Sequence, residues 1–146
     1  MSDYDWSYKT SIEGQSEPTA EEWLRATWEE GPRFLQILLP LAWKYGLGLR
    51  LGAMSDRKRI LGWHIADSRS SVVRVDADSR LMRAENIITI DGGQLFWRTV
   101  VQHRNAVGRL MWVPAKIVHQ WLVPRSLKRA IQLDAARETI RSGGDA

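Results

Sequence analysis

The chain has 146 residues and a mass of 16.8 kDa, with 44% hydrophobic and 26% charged residues and a net charge of +4. That is one domain, 1–146, of ordinary globular composition, long enough to bury about two thirds of its unfolded surface without a metal or disulfide to hold it. The absence of cysteine excludes a disulfide framework, thiolate zinc sites and cysteine nucleophiles together.

Tyr4, Trp6, Tyr8 and Thr10 share one side of a period-two pattern that continues to Ile12, which predicts a strand over 4–13 followed by a turn from Gly14 to Pro18. Thr19 with Glu22 three residues on is a capping box. It opens a short helix on Ala20, Trp23, Leu24 and Trp28 that ends near Gly31. Pro32 suits the first position of a second helix, whose run from Phe34 to Trp43 is apolar almost all round. The run is about half a membrane span, and Pro40 should kink or end it. It reads as a core helix, as a gate to a cavity, or as an element that touches a membrane surface. Tyr45-Gly46-Leu47-Gly48 stops it, and Gly52 to Lys58 reads as loop.

Four strands are predicted next. They cover Ile60–Asp67 (Leu61, Trp63 and Ile65 on one face), Ser71–Ala77 (Val73, Val75), Leu81–Ile90 (Met82, Ala84, Asn86, Ile88, Ile90) and Gln94–His103 (Leu95, Trp97, Thr99, Val101). Their links are of hairpin length, which forces an antiparallel meander. Asn105 is placed as the N-cap of a helix from Ala106 to about Glu138. A straight helix of that length spans about 50 Å, against a radius of gyration near 15 Å for a domain of this size, so Pro114 and Pro124 are expected to kink it. Ser142 to Ala146 reads as a frayed tail.

The order of elements gives an α+β fold in which the long C-terminal helix is the only element large enough to cover the sheet. A curved sheet wrapped on one helix leaves a space between them, lined on this reading by Trp63, Ile65, Asn86, Ile88, Trp97, Trp112 and Trp121, with the short helices closing one end. A mostly apolar hollow with a few polar groups is a small-molecule site.

This order resembles the helix-grip fold of the START-like, or SRPBCC, superfamily, which includes polyketide cyclases and lipid-transfer domains. The sharper likeness lies in Thr99-Val100-Val101, His103, Asn105, Gly108-Arg109 and His119. These resemble a signature of an uncharacterised bacterial branch, in which Thr-Val-Val runs through Asn-x-x-Gly-Arg into an aromatic helix with a His eleven residues after that Gly. Met111 stands where that pattern has an aromatic, with Trp112 beside it, and Ile117 where it has Pro. The resemblance implies a hydrophobic ligand between sheet and helix. It brings no catalytic residues with it.

His64, His103 and His119 match no zinc spacing, so no metal is expected, and no cofactor motif is legible. His103 and His119 could approach each other and act as acid or base, or His119 could orient the helix through a backbone hydrogen bond. His64 should face outward. Asn86 breaks an apolar face and must find partners, either on a ligand or on a Trp N–H. Asn105 and Gly108 read as cap and close-packing residue. Arg109 reads as a surface ion pair or a site for an anionic head group.

The net charge is −6 over 1–30, +5 over 31–100 and +5 over 101–146. This fits an acidic start packed beside a basic remainder, or an anionic partner. The leading expectation is binding of a hydrophobic or amphipathic small molecule (a lipid, polyketide or aromatic compound) by a site that includes His119. The alternative is a cyclase- or hydrolase-like enzyme using His119 or His103, with Asn86 orienting the substrate. A third reading, a module for anionic partners using the Arg-rich strands, needs a contiguous basic groove; nucleic acid is not expected, and transient membrane contact through the Phe34 to Trp43 run is left open. Oligomeric state is not legible. The first residues lack a basic start followed by an apolar stretch, so a signal peptide is not expected and a cytoplasmic location is.

Overall fold

Short links between period-two segments leave little freedom, and the chain folds as they require. The computed structural model describes residues 4–13, 18–29, 33–49, 51–52 and 58–143. The elements are β1 (Tyr4–Ser11), α1 (Ala20–Glu29), α2 (Arg33–Leu41) running into a π-helical turn (Ala42–Gly46), β2 (Arg59–Ile60), β3 (Trp63–Ser68), β4 (Val72–Asp78), β5 (Met82–Asp91), β6 (Gln94–His103) and α3 (Ala106–Gly143). All pairings are antiparallel, in the order β1-β6-β5-β4-β3-β2. The fold is α+β, a curved open sheet gripping a long C-terminal helix.

The inner face is the expected one. Val73, Val75, Met82, Ala84, Asn86, Ile88, Leu95, Trp97, Thr99 and Val101 are all buried. The outer face is of mixed sign: Arg83 reaches Asp76 and Glu85 at 3.2 Å each, and Arg98 holds Asp5 through bonds of 2.9 and 2.6 Å. The Asp5–Arg98 pair ties β1, from the acidic N-terminal part of the chain, to β6. Glu21 and Glu29 instead pair with Arg25 within α1.

Two expectations are corrected. The strand over Ile60–Asp67 is two strands, because Leu61 (φ 46°) and Gly62 (φ 88°) turn the chain back so that β2 pairs with β3. The C-terminal helix continues past Glu138 to Gly143, 38 residues in all. Its two prolines take amide donors away from the carbonyls of Leu110 and Gln120. Both residues are exposed, where solvent rather than protein can serve a carbonyl, and the helix runs on. In α2 the α-helix ends at Leu41, one residue past Pro40, and widens into the π-turn, with the Leu47 N–H donating to the Ala42 carbonyl at 3.1 Å. The expected loop from Gly52 to Lys58 lies mostly outside the described residues, as do the expected turn over 14–17 and Pro32. No helix among the described residues is long and apolar enough to cross a membrane.

Both ends of the grip are fixed by local chemistry. In α1 the capping box closes with two bonds of 3.2 Å between Thr19 and Glu22. The Ala20 N–H donates to the Ser70 carbonyl at 3.0 Å and Ser68 Oγ to Glu21 at 2.9 Å, fastening α1 to the β3–β4 turn. At the start of α3, Asn105 Oδ1 accepts from the Gly108 N–H at 2.9 Å while its Nδ2 donates to the Arg80 carbonyl at 3.2 Å. A Cβ on Gly108 would sit 2.9 Å from the Leu81 carbonyl carbon and closer still to its oxygen. Since the obstacle is main chain rather than a movable side chain, Gly108→Ala should push α3 off the sheet and cost about 2–3 kcal/mol. Urea unfolding measures this; an unchanged midpoint would remove the close approach from the account.

Candidate ligand-binding cavity

Between the inner face of the sheet and α3 lies a cavity of about 320 Å³. The sheet contributes Trp63, Ala84, Asn86, Trp97 and Thr99. α3 contributes Met111, Trp112, Pro114, Ala115, Val118, His119, Leu122 and Val123. Thr27 and Trp28 of α1, with Leu39, Ala42, Trp43 and Leu47 of α2 and the π-turn segment, close one end. On α3 the inward positions 108, 112, 115, 119, 123, 127 and 130 recur at helical spacing. The cavity thus sits between two anchorages of the helix, at Gly108 and at Val123, Leu127 and Ala130.

Five of the eight tryptophans line the space, and they fall into two aromatic groups. Trp28 lies 4.9 Å from Trp43, 5.6 Å from Trp63 and 6.0 Å from Trp97, ring centre to ring centre. At the other end His119 sits 5.0 Å from Trp6 and 6.0 Å from Trp112. Tilted and edge-on contacts of this kind suit the ring quadrupoles and keep the walls stiff.

A chain of hydrogen bonds joins the two groups. Trp97 Nε1 donates to Asn86 Oδ1 at 3.1 Å, and Thr99 Oγ1 donates to the same oxygen at 2.6 Å. The indole N–H can only donate, which fixes the orientation of the Asn86 amide. Thr99 has then spent its one proton, so at 2.9 Å it accepts from His119 Nε2. That network assigns the proton of His119 to Nε2 and leaves Nδ1 a bare lone pair, buried and with no partner among the described residues. Burial pushes the His119 pKa down to about 4, so the ring is neutral at pH 7.

Asn86 is the member of the chain with a donor left over. Its Oδ1 is saturated by two donors, while its Nδ2 makes no hydrogen bond to a described residue. The indole N–H groups of Trp63 and Trp112, both wall residues, are also buried without an acceptor among the described residues. The wall therefore holds more donors than acceptors.

Of the residues expected here, Trp63, Asn86, Trp97, Trp112 and His119 come together, and Ile65, Ile88 and Trp121 do not. Trp121 is 56% exposed; nine residues at 100° each put it half a turn from Trp112, on the opposite side of α3. Ile88 is fully buried in the core. Ile65 is half-buried beside a bulge between Ile65 and Asp67 that shifts the register of β3. His103 ends β6 opposite Met82, away from the cavity. His64 faces outward and meets Asp76 at 3.1 Å. Trp28, Trp43 and Thr99 were not anticipated as wall residues. Thr99 shares its face with Trp97 and stands directly across from Asn86, a signal the register could have yielded. Among the described residues no three His, Asp or Glu side chains gather as a metal site would need. No protein-family model, curated protein or solved structure matches the chain.

His119 titrates at about 6.5 when unfolded and about 4 when folded. Its contribution to stability is therefore complete above pH 6.5 and is lost as the pH falls toward 4, because the unfolded chain takes up the proton first. Between pH 7 and 5 this amounts to about 2 kcal/mol. Urea unfolding of the wild type and His119→Gln at both pH values should differ in pH dependence by that amount; parallel curves would show that the ring is not held neutral.

Proposed function

We propose that the protein binds a hydrophobic or amphipathic small molecule, with its apolar body between sheet and α3 and a carbonyl or carboxylate oxygen at the Asn86 amide. The cavity carries this reading. Its volume of about 320 Å³ and its walls, mostly indole and aliphatic with a few polar groups, match those of small-molecule sites. The saturated Oδ1 and unspent Nδ2 of Asn86 select an acceptor on the guest.

The likeness to START-like helix-grip proteins agrees with this assignment. Asn105 and Gly108, which carry that likeness, have structural jobs at the foot of α3. Acid–base catalysis needs a His nitrogen on the cavity wall; His119 spends Nε2 on Thr99 and buries Nδ1, so carriage is the better-supported role. We place it in the cytoplasm, in keeping with a chain free of cysteine.

Native mass spectrometry of the protein offered a bacterial lipid extract should show one bound molecule per chain. Ala115→Phe, which fills the cavity from α3, should abolish binding while the fold is kept. A long-chain fatty acid should bind at least tenfold more weakly to Asn86→Asp, which keeps the acceptor for Trp97 and Thr99 but loses the N–H₂. No bound species with either the extract or the fatty acid would contradict the proposal.

A further inference from the structure

α3 is apolar on both sides over its first half. Val107, Leu110, Val113, Ile117 and Trp121 point away from the cavity; Leu110 is 71% exposed and Ile117 65%. α2 repeats this arrangement with Phe34, Ile37, Leu38 and Leu41, all exposed. The two surfaces flank the same opening, because Ala42 on one side and Met111, Pro114 and Val118 on the other are at once exposed and part of the cavity wall. Contiguous exposed apolar surface on this scale marks an interaction site.

Charge identifies the occupant. No acidic residue occurs from 33 to 49 or from 92 to 133. Along the outer side of α3 the apolar stripe gives way, one turn beyond Ile117 and Trp121, to Arg125, Lys128 and Arg129. Arg125 lies 4.5 Å over the Trp121 ring, and Lys116, Lys128 and Arg129 have no acidic partner among the described residues. A second copy of the chain offers the same acid-free patch, so a two-fold contact would leave these bases without acidic partners. An apolar stripe bordered by Trp and unpaired cations is instead the composition of a helix that lies in an anionic bilayer surface.

We propose that the face around the cavity mouth, formed by α2 and the first half of α3, docks on a membrane surface containing anionic lipid. The docking does not depend on the cavity being loaded. The route it offers, from bilayer to cavity past the exposed wall residues Ala42, Met111, Pro114 and Val118, rests on the ligand-binding reading above.

Co-sedimentation with phosphatidylcholine vesicles, with and without phosphatidylglycerol, tests this on the intact chain. Binding is expected only when phosphatidylglycerol is present and should weaken as salt rises. Arg125→Gln, Lys128→Gln and Arg129→Gln should weaken it roughly fivefold each, and Leu110→Glu with Ile117→Glu should abolish it. None of these five residues lines the cavity, so uptake of Nile red by the variants should match the wild type, which separates loss of docking from loss of the cavity. Three results would overturn the proposal: no binding to either vesicle, equal binding to both that ignores salt, or a concentration-dependent dimer in sedimentation velocity that Leu110→Glu dissolves.

Discussion

The structure depends on one close approach, the first turn of α3 against the main chain at Leu81. Only Arg104 and Asn105 separate β6 from α3, so the helix must begin at the end of its own strand. Asn105 caps that first turn and also holds the Arg80 carbonyl, and Gly108 has no Cβ to hold the two backbones apart. Pinned there, α3 crosses the concave face and is buried again at Val123, Leu127 and Ala130, where it meets α1. Between these supports helix and sheet are bridged by aromatic side chains rather than filled with aliphatic ones. The hollow is thus a consequence of where the helix is fastened.

Inside that hollow, polar groups are few, and one run of them is joined by hydrogen bonds. In an apolar surround an unmatched polar atom is costly, so the chain from Trp97 through Asn86 and Thr99 to His119 both stiffens the walls and limits what can bind. Burial holds His119 neutral, and the wall is left with unspent donors on Asn86, Trp63 and Trp112. Selectivity on this account comes from those donors in an indole-lined space, and shape does the rest.

What could be read from residues alone follows the reach of each signal. Period-two alternation is local, and Leu95, Trp97, Thr99 and Val101 face inward as it requires. The Thr19–Glu22 capping box and the Asn105 cap are contained in four residues each and are found where they were expected. The misplacements are of two kinds. Leu61-Gly62 breaks a strand by backbone conformation, which a hydrophobic pattern does not register. Trp121 has the indole expected of a wall residue, but its nine-residue spacing from Trp112 places it on the other side of the helix. The contribution of Trp28 and Trp43 depends on how α1, α2 and the π-turn pack over the end of the sheet, and no local pattern encodes that.

The central claim is that indoles border an interior space which admits an apolar chain. Quenching of tryptophan emission by a dibrominated fatty acid tests it most directly, with Trp121→Phe to remove the exposed indole from the signal. The account predicts saturable, one-to-one loss of most of the remaining blue-shifted emission, and none of that loss in Ala115→Phe. Emission from Trp121→Phe that stays unquenched at saturating acid would mean that the indoles pack against one another with no room between them.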